Sequence, residues 1–159
     1  MKYLKRFNES INIGKIKIEN IQKEDIDEVV DMASKIFSNV MPYEANQQYI
    51  RSVTDFNLSC KLTNDGSIIG CYLIAPIKLA RLKGRKGLEG IALAVKEEYR
   101  GKGLGNKLKD WFESYAKDNY YDFIFGQHLK GLHNIDSWLK RREIYKEDRL
   151  SYYTIKYLK

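Results

Sequence analysis

The chain is poor in the residues that usually announce a metal site or a covalent framework. Its 159 residues include two cysteines, two histidines and two prolines. No Cys/His cluster has zinc spacing, and His128 and His133 are the only imidazoles, so no metal is expected. Cys60 and Cys71 raise one question. If Asp65-Gly66 is a two-residue hairpin loop, then 64 pairs with 67, 62 with 69, and 60 with 71, and the cysteines face each other across two strands. A disulfide is conceivable there, although a cytosolic chain keeps both thiols reduced. No apolar run approaches the roughly 20 residues that span a bilayer, so no membrane partner is expected. Residues 1–10 are basic without an apolar stretch, which argues against a secretory signal and for a cytoplasmic location.

Two familiar phosphate loops are also missing. No glycine precedes Lys-Ser or Lys-Thr as G-x-x-x-x-G-K-[ST] requires, and no G-x-G-x-x-G occurs. What is present is the stretch from Leu88 to Trp111. Leu88 to Val95 is short and apolar apart from Glu89 and Gly90, which suits a buried strand. Residues 96–100 are charged and read as a loop. Gly101, Gly103 and Gly105 then alternate with Lys102 and Leu104, and Leu104, Leu108, Trp111 and Tyr115 fall at helical spacing. A strand, a glycine turn and a helix N-terminus together form an anion site. Glycine lets backbone approach a ligand, and the first helical N–H groups lack internal partners. Arg100 and Lys102 add positive charge beside those amides. The expected ligand is a pyrophosphate.

Lys and Arg number 28 against 21 acids, a net charge of +7. Two partners fit that charge: a polyanionic cofactor, or a nucleic acid such as tRNA with residues 81–86 as contact. The cations are scattered along the chain rather than gathered in one arm, which favours the cofactor. At 43% hydrophobic and 31% charged residues, the composition suits a single globular domain over 1–159, with 1–10 as a short extension. In order, the patterns predict a strand over 11–18, an amphipathic helix over 26–37, and a short second helix around Tyr43, Tyr49 and Ile50. Strands over 55–62 and 68–79 flank the Asn64–Ser67 turn, and Pro76 weakens pairing late in the second. A basic connector over 81–87 leads to the strand over 88–95, a helix over 103–118 and a strand over 121–126. A short helix over 134–141 and strands over 144–145 and 151–158 complete the chain.

The pattern [RQ]-x-x-G-x-[GA], here Arg100-Gly101-Lys102-Gly103-Leu104-Gly105 after A-V-x-x-x-Y, resembles the acetyl-CoA motif of the GNAT superfamily of N-acetyltransferases. The resemblance covers about residues 11–158 and is motif-strong only over 88–111. It implies an α+β fold with a mostly antiparallel central sheet and helices on both faces. It also implies acetyl-CoA as cosubstrate, with Arg100, Gly101, Lys102, Gly103, Leu104, Gly105 and Asn106 around the pyrophosphate. The main chain of Leu93, Ala94 and Val95 would meet the pantetheine arm where this strand splays from that of Phe123–Gly126. Asn134, just before the last helix, would touch the same arm; it also suits an N-cap.

For chemistry, the resemblance implies direct attack of an amine on the thioester. Glu89 stands where family members carry a glutamate base. As a structural residue it would make a sheet-edge salt bridge; as a buried carboxyl its pKa should rise toward that of a useful base. The family's acid, a tyrosine on the last helix, has no counterpart here, since Arg141 or Leu139 takes its place; Tyr145 is the nearest phenol. His128 is a further base or acid. The activity implied is acetyl-CoA-dependent N-acetylation of a primary amine. The alternative is a non-catalytic module that binds an acyl-CoA or a protein. Neither the acceptor nor the oligomeric state is written in these residues.

Overall fold

The computed structural model describes residues 15–36, 38, 41–129, 142–147 and 151–158. Its seven strands are β1 (Ile16–Asn20), β2 (Cys60–Asn64), β3 (Ser67–Ile77), β4 (Gly87–Val95), β5 (Phe123–Leu129), β6 (Glu143–Glu147) and β7 (Ser151–Tyr157). They form one sheet in the order β1-β2-β3-β4-β5-β7-β6. Every neighbouring pair is antiparallel except β4 and β5, which run parallel. Among the described residues three α-helices accompany the sheet: α1 (Ile26–Ile36), α2 (Tyr43–Val53) and α3 (Leu104–Asp118). The parallel pair exists because α3 carries the chain from the end of β4 back to the start of β5. The α+β expectation is met; the helix expected over 134–141 lies outside the described residues.

The helices divide between the two faces. Leu104, Leu108, Phe112 and Ala116 of α3 pack on Leu62, Ile69, Tyr72, Ile74, Leu88 and Ile124. Val29, Val30 and Ala33 of α1 and Ile50 of α2 cover Cys71, Leu73, Ala92 and Ala94 on the other face. Further along that second face, Phe123, Phe125 and Ile155 form a separate cluster with Tyr145 and Tyr153 packed against it. Glu89 lies between these two clusters, on the α1/α2 face, by strand alternation with Leu88.

Local chemistry moved several boundaries. Asp65 and Gly66 both take positive φ, 49° and 84°, as a two-residue hairpin turn demands. The strand expected over 55–62 begins only at Cys60, because Asp55 organises a turn: its carbonyl accepts from the N–H groups of Leu58 and Ser59 and its carboxylate from that of Asn57. The register of the cysteines is corrected too. Ile69 is an extra residue in β3, so Leu62 pairs with Gly70 and Cys60 with Tyr72. Cys60 joins the α3 face and Cys71 the α1/α2 face. Both are buried and free, with thiol pKa values pushed up by burial. The entry to α1, unmarked in the sequence, is secured by Asp25. Its carboxylate accepts from the Gln22 N–H at 2.7 Å and pairs with Lys61 at 2.6 Å.

Gly87 opens β4 against the ring of Phe123, which is fully buried; a Cβ there would stand 2.2 Å from Cζ. Gly87→Ala should therefore destabilise by about 1–3 kcal/mol, the usual cost of overpacking, and a denaturant midpoint unchanged from wild type would show that the parallel pair yields freely.

Candidate functional site

The site begins where two paired strands part. The β4–β5 ladder runs Gly87↔Phe123, Leu88↔Ile124, Glu89↔Phe125 and Gly90↔Gly126, and stops. Beyond it β4 stays with β3 as far as Val95, and β5 stays with β7 as far as Leu129. A bulge at Ile91, where Leu73 pairs with Ala92 and Ile74 with Gly90, turns β4 away at this point. The Lys96 N–H donates to Ile69 of β3 at 2.8 Å. By alternation Ala94 also faces β3, while Leu93 and Val95 turn their main chain into the opening. The Val95 carbonyl is already engaged: Arg100 Nε donates to it at 2.9 Å. Of the three residues named for main-chain contact, Leu93 and Val95 thus turn their N–H groups toward the opening, and Ala94 turns its own toward β3.

The opening leads to the N-terminus of α3. Gly101 and Gly103 hold φ of 73° and 75°, a left-handed conformation that strains other residues, so both glycines are demanded by the turn. The first helical bond is Lys107 N–H to the Gly103 carbonyl, which leaves the N–H groups of Leu104, Gly105 and Asn106 without helical acceptors. No acidic residue stands in the first turn, and no side chain caps it. Arg100 and Lys102 are exposed beside these amides. A hollow lined by Val95, Lys96, Arg100 and the Asp31–Lys35 turn of α1 adjoins the end of β4. Polar donors, positive charge and a dipole end together suit a phosphate.

Glu89 lies half-buried on the α1/α2 side of the opening, and burial raises its pKa above the ordinary value. Tyr49 of α2 stands near it: burial, and then the Glu89 charge, push that phenol upward. No structural ion pair of Glu89 occurs among the described residues. Tyr145 is on this face as well, edge-on to Phe125 at 5.6 Å with Arg81 over its ring at 5.3 Å. Those contacts are those of a packed ring. The basic connector is likewise engaged, with Arg85 over Tyr157 and Lys86 over Tyr121. Asn134 lies outside the described residues.

On the α3 face the structure assembles a polar group of which the sequence singled out His128 alone. Tyr72 is buried against Phe112, with ring centroids 4.8 Å apart, and Arg142 donates to its phenol oxygen. His128 Nε2 lies 2.9 Å from Thr154 Oγ1. Burial, with the charges of Arg142 and Lys109, pulls His128 down to about 4, so it is a neutral imidazole at pH 7. Lys109 of α3 is pulled down to about 8 by burial and Arg142. Two mid-strand glycines were the available signal, Gly90 and Gly126.

With this geometry in view, the family model described as "Acetyltransferase (GNAT) family" matches residues 26–128. A GNAT acetyltransferase from Staphylococcus aureus Mu50 superposes with a TM-score of 0.70 at 16% identity, covering 91% of this chain and 100% of that one. The PaiA N-acetyltransferase of Thermoplasma acidophilum, solved with coenzyme A, gives 0.67 at 16% identity over 90% and 99%. A GNAT acetyltransferase of Brucella melitensis, solved with acetyl-CoA, gives 0.68 at 13% identity over 91% and 89%. A search of curated proteins by sequence finds no match. At such identities the superpositions speak for the fold.

Proposed function

Because the chain belongs to the GNAT acetyltransferase family, we propose that it transfers an acetyl group from acetyl-CoA to a primary amine by direct attack. The observation that carries this reading is the parting of β4 from β5 beyond Gly90 and Gly126, which leads from Glu89 to the open amides of α3. The pyrophosphate is assigned to the N–H groups of Leu104, Gly105 and Asn106, with Arg100, Lys102 and the two left-handed glycines shaping the turn. The pantetheine arm is assigned to the main chain of Leu93 and Val95, whose N–H groups are available to pair with its amides and to polarise the thioester carbonyl. The acceptor approaches from the α1/α2 face, past Tyr49. Glu89 takes the proton that the amine must lose, and its raised pKa brings it nearer the acceptor's working pH. The same face carries Phe125, Tyr145 and Tyr153, so the acceptor meets an aromatic wall.

Calorimetry with acetyl-CoA, followed by thiol release over a panel of amines, tests the reading. Binding together with release on at least one amine is expected. Binding with no release on any amine would favour a non-catalytic acyl-CoA module, and no binding would remove both.

A further inference from the structure

Tyr72, Arg142, His128 and Lys109 have no part in the steps above, yet they meet at the apex of the opening. They come from four places: β3, the residue before β6, β5 and α3. The last paired residues of the parallel ladder are both glycines, and this is what admits the cluster. A Cβ on Gly90 would stand 2.7 Å from the Tyr72 hydroxyl. A Cβ on Gly126 would stand 3.3 Å from Arg142 Nη1 and 3.3 Å from His128 Nε2. Any side chain at these two positions would push the polar groups back from the backbone where β4 leaves β5.

We infer that Arg142 stabilises the sulfur of CoA as the thioester breaks, and that Tyr72 is the positioning residue that holds its guanidinium at the apex. This rests on the acetyl-CoA reading above. In direct attack the amine nitrogen bonds to the carbonyl carbon, the C–S bond breaks, and its electron pair goes to sulfur. The amine's proton goes to Glu89. Glu89 and Gly90 are successive residues of β4, so the base stands on one face of the sheet and the Tyr72–Arg142 pair on the other. Negative charge thus develops on the side where a fixed cation waits. A guanidinium keeps its charge throughout and is suited to a soft, weakly hydrated anion such as a thiolate, so no proton donor matched to the sulfur is required; the thiolate takes its proton from water on release.

The groups facing Arg142 are consistent with that task. Tyr72, its phenol pushed up to about 12 by burial, stays protonated. His128 stays neutral and adds no charge. Lys109 adds positive charge through most of the range below its pKa of about 8. Among the described residues Glu113 of α3 acts on Arg142, and it is itself held by Lys156 at 2.7 Å and Lys117 at 2.9 Å.

The thiol of bound CoA reports on this without any acceptor. The ultraviolet absorbance of the thiolate, followed against pH in the wild-type complex, should titrate about 1–2 units below free CoA. Arg142→Gln should return it to the free value while calorimetry still shows CoA bound. Arg142→Lys, which keeps a charge without the fork, should fall between. Tyr72→Phe keeps the ring packed on Phe112 and should lose part of the shift, which tests the inference even if Arg142→Gln does not fold. An unshifted thiol in the wild-type complex, or the same shift in wild type, Arg142→Gln and Tyr72→Phe, overturns it. Failure of CoA to bind the wild-type protein is a separate result, and it overturns the acetyl-CoA reading along with this one.

Discussion

Glu89→Gln is expected to lower kcat about 10²–10⁴-fold while leaving acetyl-CoA affinity unchanged, the usual loss when a positioned general base is removed. Glutamine keeps the shape and hydrogen-bonding capacity of the side chain and removes only its basic oxygen. The acid limb of the pH–rate profile should disappear with it. In the wild type that limb should lie above the ordinary glutamate range, because burial raises the Glu89 pKa. The same shift gives a stability test with a definite sign. The folded state holds the Glu89 proton more tightly than the unfolded chain, so between the two pKa values it binds more protons and stability falls as pH rises. At neutral pH the ionised carboxylate opposes folding, and Glu89→Gln should melt no lower than wild type and somewhat higher. A carboxylate kept for a structural salt bridge predicts the reverse: a lower Tm at neutral pH and an unaltered rate profile in the protein that remains folded. The assay should compare amines of high and low pKa, since a low-pKa amine arrives deprotonated and needs less help. Equal, near-wild-type rates with both would take Glu89 out of the mechanism.

Local order explains what could be read from the residues alone. The hairpin at Asp65-Gly66 announces itself because only a few residue pairs accept two positive φ values in a row. The helix over 26–36 and the glycine turn before α3 follow from short-range periodicity and backbone freedom in the same way. The bulges at Ile69 and Ile91 do not, because an extra residue in a strand leaves no compositional mark when both faces are apolar. Their effects were large all the same. One put Cys60 and Cys71 on opposite faces, and the other bends β4 where it leaves β5. Long-range order was least legible. The insertion of β7 between β5 and β6 joins residues from both ends of the last third of the chain. Tyr72 and Arg142 lie far apart in the sequence, and no short-range pattern brings them together. Glu89 was visible as a carboxyl in an apolar strand; whether it faced a partner depended on the packing of α2, which a pattern of Tyr43, Tyr49 and Ile50 only outlined.

Gly103→Asp is expected to weaken acetyl-CoA binding about 100-fold or more while the protein stays folded. Two features of the position separate the effects. Nothing lies within 4 Å of a Cβ built there, so the new side chain meets no protein atom. The backbone, at φ 75°, costs a non-glycine residue about 1–2 kcal/mol, and aspartate is among the side chains that tolerate it best. The change in Tm should accordingly be small. The ligand is affected far more, because the carboxylate stands at the N-terminus of α3, beside the N–H groups of Leu104, Gly105 and Asn106, which have no helical acceptors. It would repel a pyrophosphate there and compete for those amides. Loss of one or two charge-assisted hydrogen bonds, at about 1.5–3 kcal/mol each, corresponds to a factor of this size before the repulsion is counted. Gly103→Ala is the control for backbone strain: it carries at least as large a conformational cost without the charge, and should reduce affinity far less. Raising the salt concentration should narrow the gap between the two variants, since the excess effect of aspartate is electrostatic. If calorimetry finds Gly103→Asp binding acetyl-CoA as tightly as Gly103→Ala, the pyrophosphate does not sit on the first turn of α3.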